Sequence, residues 1–446
     1  LMSDKITIIH KSLKIRLYPT EDQKILLNKT FGCCRLLYNE RLSEHIEWYN
    51  ANKDLSKDQR SKFKGKLPKQ LREEKYEFLS EVIAEPLINA QRNCEQAFSN
   101  FFKSITKQRK GKKVGYPKFK SKKQHRDSFT IYMLTPRCLD WEHRLITIPK
   151  LKQVKFRHAE DKSNKWIDWF KEATTRSITI SKNACGEYWC SILFEKEQDV
   201  YSTIKLDKAI GLDFSPNSLY INNLNEEASN FKKAKQENIK KLTKLQRNLM
   251  RKQKDSKNRE KARIKLARFE NHIANIRKDY REKETLRLVQ TYDVIGIEDL
   301  NLQGMMRFSH NAKNYIDTSW YSFVTRLEQK AIFNNCLVIK SDRFYPSSKT
   351  CNHCGYVNNE LTLRDRTWIC PKCGTEVVRD QNAAQNLKEN AIKILVDEIK
   401  STLLLEQEKV MSMEDMEVEI CNSEICGISC EVESQNSDVR KRSLLL

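Results

Sequence analysis

The stretch Val294-Ile295-Gly296-Ile297-Glu298-Asp299-Leu300 decides the fold. It is too short for a buried helix and carries β-branched residues, so it reads as a buried strand that ends in acids. Two distant segments share that design. Ala209-Ile210-Gly211-Leu212-Asp213-Phe214 is a second short apolar strand ending in an acid, followed by a strand at Leu219-Tyr220-Ile221. Arg379-Asp380-Gln381-Asn382-Ala383-Ala384 opens a helix with Asp380 in its first turn. Carboxylates at strand ends and at a helix start can converge on one pole of a sheet. Alone they repel; with two Mg²⁺ ions they form a phosphodiester-cleaving clamp, one metal activating water and the other stabilising the leaving oxygen. Each acid singly is an ordinary strand end or helix cap. The order Asp213, Glu298, Asp380, with these flanks, raises the reading above that.

Between the second and third acids lie Cys351-Asn352-His353-Cys354 and, after fifteen residues, Cys370-Pro371-Lys372-Cys373. Two such knuckles supply four thiolates to one tetrahedral Zn²⁺, and Gly355 and Gly374 permit the tight turns. Four sulfur ligands leave no open position, so the site is structural. His353 is expected to stand exposed in its knuckle. A disulfide framework, which belongs to an oxidising compartment, does not suit the basic intracellular chain expected here.

The 446 residues carry a formal charge of +23. Residues 401–446 hold ten acids against four bases, so the rest of the chain is more basic still. A polyanion is the expected partner. No run of about 18 apolar residues is present, which excludes a membrane-spanning class; no membrane partner is expected. The opening residues lack the apolar stretch of a signal peptide. Residues 103–126 hold eleven Lys/Arg and no acid, with Tyr116, Pro117 and Phe119 interleaved. Bases neutralise phosphates and rings stack on nucleobases, which makes Lys112, Lys113, Tyr116, Lys118, Phe119, Lys120, Lys122 and Lys123 candidate nucleic-acid contacts.

Alternation of Leu13, Ile15 and Leu17 with polar neighbours predicts a strand ended by Pro19. Thr20 and Gln23 form a capping box for a helix to about Asn50, and a second helix ends near Lys103. Ile178 and Ile180, a turn at Asn183–Gly186, then Tyr188, Cys190, Ile192 and Phe194 read as a hairpin. The opening strand and the β-rich segment 128–199 can form one small barrel with the helices inserted. Residues 231–290 contain twenty-one Lys/Arg and seven acids. Ala262, Leu266, Phe269, Ile273, Ile276 and Tyr280 make a seam for Leu242, Leu245 and Leu249, a helical hairpin turning at 252–258. The tail 401–446 lacks sustained periodicity and is expected to be disordered.

With these residues in view the sequence resembles the transposon-encoded OrfB/TnpB family of RNA-guided nucleases, relatives of the miniature type V CRISPR effectors. The resemblance covers roughly residues 11–395. It rests on Ile15–Thr20 with Phe31–Arg35, on Gly115-Tyr116-Pro117-Lys118-Phe119-Lys120, on Ile297–Asn301, on Pro346–Cys351, and on Arg379-Asp380 with Asn382-Ala383-Ala384 and Asn386. It implies a multi-domain α+β and α/β protein. A wedge-type β-barrel (1–18 and 122–202) would carry a helical recognition lobe (19–121). An RNase H-like, RuvC-type nuclease domain (203–345 and 375–400, with the hairpin 231–290) would hold a zinc-ribbon module (346–374), ahead of the acidic tail.

The resemblance further implies Asp213, Glu298 and Asp380 as catalytic acids for two Mg²⁺, with Mn²⁺ as a substitute, and Cys351, Cys354, Cys370 and Cys373 as ligands of one Zn²⁺. The expected activity is RNA-guided endonuclease cleavage of double- or single-stranded DNA beside a short motif. Guide RNA and target DNA are then the partners, a monomer is favoured, and the setting is the nucleoid-associated cytoplasm of a prokaryotic cell. Two departures stand out: Phe214-Ser215-Pro216 replaces the commoner Leu-Gly after the first acid, and Val378 replaces a frequent acid before Asp380. Two rival readings are a transposase that cuts and joins DNA on the same acids, and a nuclease-inactive RNA-guided repressor.

Overall fold

The computed structural model describes residues 6–55, 62–109, 111–124, 127–132, 138–157, 165–199, 204–308, 312–362 and 365–422. These form two compact units, residues 1–201 with 234–276 and residues 202–233 with 277–446.

In the first unit β1 (Ile6–Tyr18) is the central strand. It pairs antiparallel with β7 (Tyr188–Asp199) from Ile6↔Asp199 to Leu17↔Tyr188. The sheet also holds β2 (Asp127–Ile131), β3 (Leu139–Asp140), β4 (Leu145–Ile148), β5 (Lys152–Arg157) and β6 (Thr174–Lys182), in the order β2-β6-β7-β1-β5-β4-β3. Period-two burial explains its single core: Ile15, Leu17, Ile146, Ile178, Ile180 and Ile192 meet Leu27, Phe31 and Leu87 in one cluster. Those last residues come from α1 (Glu21–Asn52) and α2 (Ala84–Ile105). The expected capping box opens α1: the Thr20 amide donates to Gln23 Oε1 at 3.0 Å and the Gln23 amide donates to Thr20 Oγ1 at 3.4 Å. Gln23 Nε2 also donates to the Leu151 and Gln153 carbonyls, fixing the helix start to the β4–β5 turn.

The basic helical hairpin forms as α3 (Ile239–Met250) and α4 (Lys257–Thr291). Leu242, Leu266 and Ile273 are buried along it. Arg259 closes the turn by donating to the Leu249 and Lys252 carbonyls. Residues 234–276, which hold α3 and the first part of α4, group with the first unit. Arg263 Nη1 donates to the Ala184 carbonyl in the β6–β7 turn at 3.0 Å.

The second unit is a three-layer arrangement around a four-stranded sheet ordered β11-β10-β8-β9. β8 (Ala209–Ser215), β10 (Val294–Glu298) and β11 (Leu337–Ser341) are mutually parallel, and β9 (Leu219–Asn222) is antiparallel to β8. Alternate residues of β8 and β10 face opposite layers. Ile210, Leu212, Ile295 and Ile297 pack with Leu288 and Val289 of α4 and with Trp320, Phe323 and Leu327 of α5 (Trp320–Ala331). Ala209 and Val294 meet Ala391 and Leu395 of α6 (Arg379–Asn422) on the other side. This double coverage is why both strands read as continuous apolar runs. Helix α6 continues beyond residue 400, into the segment expected to be disordered; residues 423–446 of that tail lie outside the described residues.

Candidate active site and cysteine cluster

The period that points Ala209 and Gly211 at α6 points Asp213 the same way, and Val294, Gly296 and Glu298 follow on the neighbouring strand. Gly211 and Gly296 are direct register partners. A Cβ on Gly211 would lie 1.7 Å from the Ala384 carbonyl oxygen, and one on Gly296 would lie 2.3 Å from that of Leu387. Helix α6 therefore rests against the strand backbones, with Ala383 and Ala384 fully buried. That close approach brings Asp380, in the first helical turn, to the same end as the two strand acids. The exposed amides of a helix start favour an anion there.

The electrostatics register the convergence. Burial, reinforced by the charges of Glu298 and Asp380, holds the Asp213 carboxyl well above its ordinary pKa, against Arg379 and the Phe214 amide. Glu298 is also pushed up, by burial, and partly restrained by the Ser347 hydroxyl that donates to its Oε1. Asp380 accepts from Arg366 Nη1 at 3.1 Å and from Arg379 Nε at 3.2 Å. Among the described residues, the groups of three or more candidate ligands whose donor atoms all lie within 4.8 Å reduce to the four cysteines. The three acids share an end of the sheet without closing to that spacing, as like charges held by separate partners should. Carboxylates that repel at one pole are a donor set suited to hard divalent cations.

The four thiols meet in the expected group. Cys351 and Cys373 Sγ are 3.8 Å apart, and Cys354 and Cys370 Sγ are 3.5 Å apart. A tetrahedral Zn²⁺ with bonds of about 2.3 Å requires sulfurs about 3.8 Å apart, whereas a disulfide requires about 2 Å. The residues therefore fit zinc. The two knuckles are built alike: Gly355 and Gly374 both have φ of +72°, and their amides donate to the Cys351 and Cys370 carbonyls. The Thr375 hydroxyl and amide at Cys373 lower that thiol to about 6. Cys354 has the Tyr356 amide as its largest influence, yet burial and the neighbouring thiols drive it up to about 12. Four sulfurs cannot share negative charge without a cation. His353 is exposed.

Sequence reasoning found the acids and thiols but missed what joins them. Asn382 Nδ2 donates to the Thr350 carbonyl, and Asn382 Oδ1 accepts the Asn352 amide. One helical turn on, Asn386 Nδ2 donates to the Ser347 and Thr350 carbonyls. The Asn-Ala-Ala-x-Asn spacing is thus a clasp: asparagines grip the chain entering the first knuckle, and alanines admit the sheet. Arg366 carried no signal, and Ser347, Asn382 and Asn386 entered only as members of the family-like motifs, without the contacts they make; the i, i+4 asparagines and paired small residues on one helix could have suggested the clasp.

Both departures have a place. Phe214 turns away from the acids into a ring cluster with Tyr315 and Trp320, at 5.6 and 5.2 Å. Val378 ends the β12–β13 hairpin (Thr367–Ile369 and Glu376–Val378) opposite Thr367.

In the first unit the candidate nucleic-acid residues fall into two groups. Lys112, Lys113, Lys118, Phe119, Lys122 and Lys123 are exposed. Tyr116 packs edge-on against Phe98 and Phe101, at 5.4 and 5.3 Å. Lys120 keeps exposed surface, but its ammonium lies 3.8 Å from the centre of the Tyr38 ring, and burial there lowers its pKa. Its backbone is tied to Asn39 on both sides. Lys120 thus pins the segment to α1.

Three family descriptions match: "Helix-turn-helix domain" over residues 7–54, "Probable transposase" over 191–309, and "Cas12f1-like, TNB domain" over 320–387. A Streptomyces pristinaespiralis protein named "Putative RNA-guided DNA endonuclease" is 32% identical over 381 residues, covering 85% of this chain and 89% of that protein. An Escherichia coli K12 protein named "Putative RNA-guided DNA endonuclease InsQ" is 27% identical over 404 residues, covering 84% and 91%. A solved Cas12f1–sgRNA–target DNA complex aligns over 85% of this chain and 99% of that one, with a TM-score of 0.48 and 12% identity. The chain belongs to the transposon-encoded OrfB/TnpB family. Among its described residues no helix is long and apolar enough to cross a membrane.

Proposed function

We propose that this chain is an RNA-guided, divalent-metal-dependent DNA endonuclease whose second unit is an RNase H-like, RuvC-type core. The observation that carries the reading is the convergence of Asp213, Glu298 and Asp380 at the end of the β8–β10 pair, under a helix that also clasps the cysteine module. Asp213, Glu298 and Asp380 would hold two Mg²⁺ ions. When bound, these supply Lewis acidity to the phosphodiester and to the attacking water. Ser347 fixes one oxygen of Glu298, and Arg379 and Arg366 orient Asp380 before the cations compete for it. Alone, the three carboxylates would repel a phosphate backbone; the bound cations would neutralise them and admit it.

The cysteine module would hold one structural Zn²⁺ through Cys351, Cys354, Cys370 and Cys373, and would help load the target strand. The seven-stranded sheet is read as the wedge-type barrel, and α1 and α2 with residues 103–124 as the recognition lobe. Base pairing to the guide would select the target, while the exposed lysines hold backbone phosphates without reading sequence.

The test is to purify the chain with its co-expressed transposon RNA, sequence that RNA, and challenge the complex with DNA matching its variable end. Mg²⁺-dependent cutting of the matched DNA alone is expected. Cutting that ignores the RNA, or joined-strand products instead of simple breaks, would contradict the reading.

A further inference from the structure

The turn after β11 is fastened at both ends to the strand bearing Glu298. Arg343 Nη2 donates to Asp299 Oδ2 at 2.5 Å, and Arg343 Nε donates to the Asp299 carbonyl at 3.4 Å. Four residues later the Ser347 hydroxyl donates to Glu298. Between these anchors the turn is stiff. The Phe344 amide donates to Asp342 Oδ1 at 2.8 Å, the Tyr345 amide donates to the Asp342 carbonyl at 3.0 Å, and Tyr345 Oη donates to the Asn386 carbonyl at 3.4 Å.

At the middle of this braced turn Phe344 is 88% exposed, the highest value among the large hydrophobic side chains of the described residues. It makes no ring or cation–π contact among the described residues. Phenylalanine is ordinarily buried, so holding a ring in water on a rigid turn asks for an explanation. A protein-docking patch is a poor one, because the flanking Asp342 and Arg343 are exposed charged residues and one ring is far below the area of a stable interface. A nucleobase is a better partner. Its flat π-face matches a single phenyl ring, and such stacking tolerates any base.

We propose that Phe344 is a base-stacking platform that seats one nucleobase of the single strand entering the acid-lined site and sets which phosphodiester faces Asp213, Glu298 and Asp380. The proposal rests on the nuclease reading for the meaning of the seat, though not for its existence. Phe344 is a positioning residue, and the chemistry does not need its ring.

The experiment uses the full chain with its RNA and single-stranded deoxyoligonucleotides carrying 2-aminopurine at one position each, scanned along the strand. Binding is read in an Asp213→Asn background so that nothing is cut. Quenching at one dominant position is expected with Phe344, to persist in Phe344→Trp and to vanish in Phe344→Leu. Affinity for the oligonucleotide should fall about tenfold in Phe344→Leu. In chains with Asp213 intact, Phe344→Leu should spread a sharp cut over neighbouring positions. An unchanged melting temperature for Phe344→Leu shows that folding is not the cause. Quenching and cut positions indifferent to Phe344→Leu overturn the proposal, as does failure of the parent chain to bind the oligonucleotide. Ring-dependent quenching without any cutting would leave the seat standing and remove the nuclease reading. Cutting with ring-independent quenching would do the reverse.

Discussion

Gly211 and Gly296 stand opposite each other in the parallel β8–β10 ladder, and each turns its missing side chain toward the backbone of α6. Their neighbours two residues on are Asp213 and Glu298. The position of the third acid therefore depends on how closely one helix can lie on two glycines.

Gly211→Ala tests this. Its methyl would fall 1.7 Å from the Ala384 carbonyl oxygen, and backbone cannot rotate away as a side chain does. The variant should lose about 3 kcal/mol or more of stability by overpacking, and cutting should fall with it. Thermal unfolding measured alongside cleavage checks both; a variant as stable as the parent would show that α6 is free to lift.

Tyr220 and Glu284, both buried, form a polar knot with the more exposed Arg287 between β9 and α4. The Tyr220 hydroxyl donates to Glu284, and Arg287 Nη2 reaches the Tyr220 oxygen at 2.9 Å and Glu284 Oε1 at 2.7 Å. Tyr220→Phe removes the hydroxyl while Glu284 stays buried, so about 1–3 kcal/mol should be lost. Denaturant unfolding measures it. No loss would mean that Arg287 alone satisfies the carboxylate.

His45 lies against Phe63, with ring centres 3.6 Å apart, and burial followed by the charge of Arg41 lowers its pKa to about 4. The fold prefers the neutral ring. Its contribution is complete above the unfolded value of about 6.5 and is lost as pH falls toward about 4. The parent should therefore lose more stability than His45→Phe across that interval. Melting temperatures at stepped pH read the difference, and parallel curves would contradict it.

The cysteine module should bind one zinc ion per chain. A Cys351→Ser/Cys373→Ser double variant should lose the metal and the β12–β13 hairpin, while leaving the seven-stranded sheet intact. Metal analysis with hydrogen exchange over residues 351–378 would show this. Full protection of the hairpin without zinc would mean that Trp368 and Val377 suffice as its core.

Much of this architecture was legible in the chain itself. Apolar runs ending in Asp213 and Glu298 marked strands covered on both faces, the Thr20/Gln23 box marked the start of α1, and cysteine spacing marked the knuckles. Those signals are local, set by periodicity and by φ at Gly355 and Gly374. The rest depends on distance. Nothing in the order of residues indicated that Ser347 would meet Glu298, that Arg366 would meet Asp380, or that Lys120 would fold onto Tyr38.

The central claim is that Asp213, Glu298 and Asp380 act together on a nucleic-acid strand. Its most direct measurement is RNA-programmed cleavage by Asp213→Asn, Glu298→Gln and Asp380→Asn, each assayed beside guide-RNA affinity. Every one of the three should cut at least about a thousandfold more slowly, a barrier increase of about 4 kcal/mol, while RNA affinity stays within about twofold of the parent. Undiminished cutting by any of them would remove that acid from the site, and undiminished cutting by all three would refute the account.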